Sequence, residues 1–168
     1  ENEKLMNISE IQIPGIHNVY NILAASLAVK SRNIKLQDIA KGIKSFKGVP
    51  HRLETVREFK SRKFINDSKA TNIESLSWAL KAMDKPVHLI AGGRDKNEDI
   101  EKIGSLLKQK VSTICLIGEA ADKFKNGWKD YVDLISIEKS LDDAVIKAYN
   151  SSNENEIILL SPACASFD

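Results

Sequence analysis

At 168 residues, with 42% hydrophobic and 29% charged side chains, the chain has the size and make-up of one soluble domain, or of one domain plus a piece of another. Its formal net charge of +2 is close to balanced, and lysines scattered among acids, without a basic stripe interleaved with aromatics, argue against nucleic acid or an anionic membrane surface as partner. No apolar run approaches the ~18 residues of a membrane span, and Glu1-Asn2-Glu3-Lys4 lacks the cationic-then-apolar order of a signal peptide.

The first predicted element is a short extended segment, Ile11-Gln12-Ile13, ended by the breaker pair Pro14-Gly15. From His17 to about Lys30 the apolar residues Val19, Ile22, Leu23, Leu27 and Val29 fall at helical spacing, and a second helix follows with Leu36, Ile39, Ala40, Ile43 and Phe46 along one face. Two helices and one strand cannot bury their apolar faces alone, so residues 1–47 read as the tail of a neighbouring domain. After Gly48-Val49-Pro50 the pattern changes. Leu53–Phe59 and Lys63–Asp67 alternate around Lys60-Ser61 and predict a hairpin. Thr71–Met83 is helical by the spacing of Ile73, Leu76, Leu80 and Met83, and Val87–Ala91 is a continuous apolar strand of the kind buried on both faces of a parallel sheet. A helix carrying Ile100, Ile103, Leu106 and Leu107, a strand Val111–Ile117, a short helix Ala120–Phe124, a strand Tyr131–Ile137, a helix Leu141–Tyr149 and a strand Ile157–Leu160 complete the order.

Alternation of this kind predicts an α/β fold over residues 48–168: a Rossmann-like, doubly wound, mostly parallel sheet with a leading β-hairpin. The last strand ends in a loop and a covering helix is expected where the chain reaches Asp168, so the sequence reads as a fragment lacking chain at both ends. Cys115 and Cys164 each sit in an apolar run and are expected to be buried, reduced thiols, so the expected compartment is a reducing cytoplasm. Neither the cysteines nor His17, His51 and His88 have metal-ligand spacing, and His88 in Val87-His88-Leu89-Ile90 reads as a core histidine.

In open α/β sheets ligands bind outside the carboxyl ends of the strands. Three polar clusters fall there: Asp67–Thr71 after the hairpin, Gly92–Lys96 after the next strand, and Ser161–Ser166 after the last. Each has a plain structural alternative. Asn66-Asp67-Ser68 holds good helix caps, Gly92-Gly93-Arg94-Asp95-Lys96 fits a simple turn, and Ser161-Pro162 suits a strand end. Lys69 beside the positive end of a helix favours an anion between them. The small residues Ser161-Pro162-Ala163-Cys164-Ala165-Ser166 let backbone amides approach a ligand, those of Ser166 and Phe167 included. Asn18 and Asn21 lie one helical turn apart, either as surface polar residues or as paired carboxamides that match the edge of an adenine.

Gly15-Ile16-His17-Asn18-Val19-Tyr20-Asn21, Pro50-His51-Arg52-Leu53-Glu54 and Asn66-Asp67-Ser68-Lys69-Ala70-Thr71-Asn72 resemble motifs of the Mur ligase family, shared with the folylpolyglutamate synthetases. Leu159-Leu160-Ser161-Pro162-Ala163-Cys164-Ala165-Ser166-Phe167-Asp168 is similar to a segment of the branch that adds D-glutamate. The resemblance covers nearly the whole chain. It implies that residues 1–47 end the central ATP-binding domain and that residues 48–168 are the C-terminal amino-acid-binding domain without its last helix. It further implies an ATP-dependent amide-forming ligase of cytoplasmic peptidoglycan synthesis, a monomer whose partners are D-glutamate, ATP and UDP-N-acetylmuramoyl-L-alanine.

Carried over residue by residue, Asn18 and Asn21 contact adenine, Arg52 stands near the phosphates and Asp67 near the ribose. Thr71, Lys96, Ser166 and the backbone of Phe167 bind the D-glutamate carboxylates. Lys69 lies between the two groups, on the substrate side, and is with Arg52 a catalytic candidate; Lys69 or Arg94 could share the role of Lys96. The resemblance places the ligands for Mg2+, the P-loop and the UDP-sugar pocket in domains outside this chain, so the fragment alone is expected to be inactive. The alternatives are another amino-acid-adding ligase of the family, such as one using a diamino acid or glutamyl-folate, and a non-catalytic nucleotide-binding module.

Overall fold

The computed structural model describes residues 3–165 and divides into two compact units, Glu1–Val49 and Pro50–Asp168. In the first unit a 3-10 turn, Ile8–Glu10, precedes the helices α1 (Ile16–Lys30) and α2 (Leu36–Ser45). Ile39 of α2 is buried, with Leu36, Ala40 and Ile43 partly covered on the same face. Along α1, Tyr20, Leu23 and Leu27 are exposed. The extended segment expected at Ile11-Gln12-Ile13 is irregular chain instead. The described part of this unit contains no second strand for it to pair with, and Pro14 has no N–H to offer a ladder; the Pro14 carbonyl accepts a 2.6 Å bond from the Asn18 side-chain amide.

The second unit is a six-stranded sheet ordered β1-β2-β6-β3-β4-β5, built from Glu54–Phe59 (β1), Arg62–Asn66 (β2), Val87–Gly92 (β3), Val111–Ile117 (β4), Ile135–Ile137 (β5) and Ile157–Leu160 (β6). Only β1 and β2 run antiparallel. Their two-residue connection, Lys60-Ser61, has φ of 46° and 59°, the left-handed pair that matches the twist of a tight hairpin. Every residue of β3 is buried, His88 included, as expected of a mostly apolar strand in the middle of a parallel sheet.

Among the described residues four helices cover the sheet: α3 (Ile73–Ala82), α4 (Gly104–Lys110), α5 (Ala121–Trp128) and α6 (Leu141–Ser151). Helices α3, α4 and α5 pack on one face, where Leu76, Leu89, Ile114, Phe124, Trp128 and Leu159 share the main core. The chain steps outward from β3 to β4 to β5 and then reverses to β6, so a right-handed connection must put α6 on the opposite face. There Ala144 and Ala148 of α6 lie on Ile90, Cys115 and Ile158. The sheet is therefore doubly wound, as expected.

Two predicted elements change shape. The helix expected around Ile100–Leu107 begins as a 3-10 turn, Ile100–Ile103, before α4. The strand expected over Tyr131–Ile137 shrinks to β5, because the amides of Tyr131 and Val132 both donate back to the carbonyl of Trp128 and prolong the end of α5. Cys115 and Cys164 are buried free thiols. His88, 1% exposed, pairs through Nε2 with Glu156 Oε2 at 2.8 Å, while its Nδ1 is buried with no hydrogen-bond partner among the described residues. No helix among the described residues is long and apolar enough to cross a membrane.

Candidate functional site

Parallel pairing brings the carboxyl ends of β2, β6 and β3 to one rim, and the reversal of strand order falls between β6 and β3, the place where such sheets open a ligand crevice. The three loops that leave this rim are joined by their backbones. The Asp67 amide donates to the Leu160 carbonyl at 2.8 Å, the Ala163 amide to the Ala70 carbonyl at 2.8 Å, the Gly92 amide to the Pro162 carbonyl at 2.9 Å, and the Arg94 amide to the Ala165 carbonyl at 3.1 Å. Arg52, Asp67, Lys69 and Thr71 thus share one corner, with the Lys69 amide donating to the His51 carbonyl at 3.2 Å. Arg52 and Lys69 are exposed and Thr71 is half-buried.

Asp67 is 7% exposed and holds this corner together. One carboxylate oxygen accepts the Leu53 amide at 3.2 Å and the other accepts the Ser161 hydroxyl at 3.0 Å, joining the start of β1 to the end of β6. Burial pushes its pKa up from the ordinary carboxylate range, opposed by those two donors and by the nearby Arg52 charge. Leu53, the residue after Arg52, adopts φ of 46°, so this bond fixes a turn that a leucine would not choose.

The next strand delivers Gly92-Gly93. A Cβ on Gly93 would stand 2.6 Å from the Ala165 carbonyl oxygen, and Gly93 has φ of 144°. The glycine pair thus serves the close approach of the loops, a use the bare dipeptide did not distinguish from a turn or a phosphate cradle. Beyond it Lys96 is exposed, flanked by Asp95, whose carboxylate takes the Lys123 ammonium of α5 at 2.8 and 3.0 Å, and by Glu98, which accepts the Ile73 amide at 2.7 Å. Sequence reading missed Lys123, Glu98 and the pinning role of Ser161. The one available signal was a lysine in the first turn of a helix, a place that disfavours a cation unless a carboxylate faces it.

Burial, with the charges of Asp95 and Glu98, raises the Cys164 thiol from 9.0 to about 11. A thiol whose folded pKa exceeds its unfolded one contributes stability that is intact below pH 9 and lost as pH rises towards 11. Urea titrations of Cys164→Ala beside the parent chain should show the parent losing on the order of 2–3 kcal/mol more across that window. Parallel losses in the two proteins would mean that the thiol does not carry the effect.

Ser166 and Phe167 lie outside the described residues. In the first unit Asn18 and Asn21 sit one turn apart on α1; Asn21 is exposed, and Asn18 has its amide on the Pro14 carbonyl. A cavity of about 490 Å³ opens beside the rim along α3, lined by Ile73, Glu74, Ser77, Lys81, Glu98, Asp99, Lys102 and Ile103, so neither Thr71 nor Lys96 lines it.

Residues 51–164 match the family model described as Mur ligase, glutamate ligase domain. The chain belongs to the Mur ligase family. Among curated relatives, it is 43% identical over 99% of its length to the UDP-N-acetylmuramoylalanine--D-glutamate ligase of Thermoanaerobacter sp. (strain X514) and covers 37% of that protein. Its identity to the proteins of that name in Latilactobacillus sakei and Salinibacter ruber is 43% over 99% and 36% over 100% of the chain, which covers 37% and 36% of them. The chain therefore spans little more than a third of the length of these relatives. Its fold resembles that of the UDP-N-acetylmuramate-alanine ligase of Thermotoga maritima (TM-score 0.73, 18% identity, 92% of this chain and 36% of that one). A folylpolyglutamate synthase of Mycobacterium tuberculosis is similar too (TM-score 0.71, 15% identity, 91% and 39%). Arg52, Asp67, Lys69, Thr71 and Lys96 all fall inside the segment matched by the family model, while Asn18, Asn21, Ser166 and Phe167 fall outside it.

Proposed function

We propose that this chain is the C-terminal part of a cytoplasmic, monomeric ATP-dependent ligase that adds D-glutamate to UDP-N-acetylmuramoyl-L-alanine in peptidoglycan synthesis. The observation that carries this reading is the 43% identity to D-glutamate ligases along 99% of the chain. The rim supports it, because the loops that carry Arg52, Lys69, Thr71 and Ser161 are hydrogen-bonded to one another at the strand ends where such sheets bind ligands. Residues 1–47 are then the tail of the central ATP-binding domain, and residues 48–168 the amino-acid-binding domain.

In this reading the L-alanine carboxylate is phosphorylated by ATP, the neutral amine of D-glutamate attacks the acyl carbon, and the tetrahedral intermediate collapses with loss of phosphate and of the amine proton. The residues of this chain position and neutralise charge. Thr71, Lys96, Ser166 and the Phe167 backbone hold the D-glutamate carboxylates, with Lys69 on the substrate side of the same corner. Arg52 reaches the phosphates when this domain closes on the central one. Asn18 and Asn21 serve the adenine. Asp67 serves the ribose with the lone pairs that the Leu53 amide and the Ser161 hydroxyl leave open. No three His, Cys, Asp or Glu side chains among the described residues gather as a metal site; Mg2+ is assigned to the rest of the polypeptide.

The test is phosphate release from ATP by the full-length protein supplied with UDP-N-acetylmuramoyl-L-alanine and one amino acid at a time. D-Glutamate should support release where L-glutamate, L-lysine and diaminopimelate do not. Release driven by a diamino acid, or by a folate substrate with glutamate, would assign the chain to another member of the family.

A further inference from the structure

We propose that Lys123 is a positioning residue for amino-acid binding: through Asp95 it fixes the turn that presents Lys96 to the rim. The proposal rests on the D-glutamate reading above and names a residue outside the loops that carry it. Asp95 Oδ1 accepts the Asn97 amide at 2.8 Å, so the carboxylate spans Lys96 and closes a turn with that lysine at its apex. Lys123 Nζ holds both oxygens of the same carboxylate, at 2.8 and 3.0 Å. The pair is partly shielded, with side chains 35% and 26% exposed, whereas Arg94 and Glu119 on the same loops stand 4.0 Å apart at 62% exposure each. An open pair of that second kind fixes little; the first can hold a loop.

Two further observations point the same way. Lys123 lies in the first turn of α5, where the helix dipole repels a cation; Asp122 in the same turn and Asp95 on the facing loop supply compensating charge, and the Lys123 ammonium bonds to Asp95. Asn97 has φ of 57°, a conformation that its amide bond to Asp95 maintains. On the far side of the turn Glu98 accepts the Ile73 amide, two residues beyond Thr71, so the loop is tied to α3 as well as to α5. Lys96 is left exposed between two anchored carboxylates. Releasing Asp95 from Lys123 frees one of the anchors, and misplacement by about 1 Å is enough to cost up to about a hundredfold in a positioned reaction.

Steady-state kinetics of the full-length ligase test this with Lys123→Met, Lys123→Arg, Lys96→Ala and the double variant Lys96→Ala/Lys123→Met. Lys123→Met should raise the D-glutamate KM about tenfold with the ATP KM held within about twofold, and Lys123→Arg should recover most of the loss. Because Lys123 acts through Lys96, the double variant should be no worse than Lys96→Ala alone. The inference is overturned if Lys96→Ala raises the D-glutamate KM and Lys123→Met does not, if the two losses simply multiply, or if Lys123→Met weakens ATP and D-glutamate equally. An unchanged D-glutamate KM in Lys96→Ala itself would instead bring down the reading of the rim on which the inference stands.

Discussion

Gly92→Ala should strip the second unit of a large share of its stability. Gly92 has φ of 116°, a conformation that side-chain-bearing residues rarely adopt, and an added Cβ would lie 2.0 Å from the carbonyl oxygen of Ile117. That oxygen belongs to the backbone at the end of β4, so relief requires opening the ladder between β3 and β4 at the Gly92–Ile117 pair. The Gly92 amide is also committed to the Pro162 carbonyl at 2.9 Å, so the strain passes directly to the loop after β6. Strain at a special backbone position together with a displaced ladder places the cost at about 3–5 kcal/mol. A domain of this size has about 5–15 kcal/mol in all. Gly42 in α2 is the control: nothing lies within 4 Å of its added Cβ, and Gly42→Ala should gain about 0.5–1 kcal/mol from helix propensity. Urea midpoints decide the matter. A Gly92→Ala protein that unfolds at the parent's midpoint would mean that the close approach of β4 is not a constraint.

Why some of this was readable in the residues and some was not follows from the range of each interaction. The mostly apolar run of β3 and the alternation of β2 are local consequences of burial on two faces or one, so Val87–Gly92 and Arg62–Asn66 emerge within a residue or two of their predicted places. Asn72 and Ser140 cap α3 and α6 by accepting the amides of Ser75 and Asp143, a signal three residues long. Strand order is not local, yet alternation of strands and helices implies parallel pairing, and that alone brings the three polar clusters to one edge. What stayed hidden depends on partners far along the chain. Nothing near Asp95 announces Lys123, 28 residues away, and nothing near Asp67 announces Ser161, 94 residues away. β5 is shortened for a similar reason, since the apolar run from Tyr131 satisfies a strand pattern until the end of α5 claims its first amides. The roles of individual rim residues came from the resemblance, because their placement on loops is compatible with caps and turns as well as with a site.

Those roles separate in a comparison of Lys96→Ala with Arg52→Ala in the full-length ligase. Under the proposed function Lys96 holds a carboxylate of D-glutamate before and during the reaction, so its loss would remove binding common to the ground and transition states. A charge-assisted hydrogen bond contributes roughly 1.5–3 kcal/mol, which predicts a D-glutamate KM raised about ten- to a hundredfold with the ATP KM nearly unchanged. Arg52 stands next to Leu53, whose amide is fixed by the buried Asp67 carboxylate, so its backbone is held while its side chain is exposed. A guanidinium presented on such a fixed turn suits a group that meets the phosphates only after closure, where charge develops in the transition state. Removing a donor of that kind lowers kcat by about a hundredfold or more and leaves KM values close to the parent's. The two variants should therefore fail in different columns of the same table. If Arg52→Ala instead raises the D-glutamate KM and spares kcat, Arg52 belongs with the amino-acid carboxylates and the closure role is wrong. If Lys96→Ala lowers only kcat, the lysine acts on the developing charge, and Thr71 and the loop after β6 are left to hold D-glutamate without it.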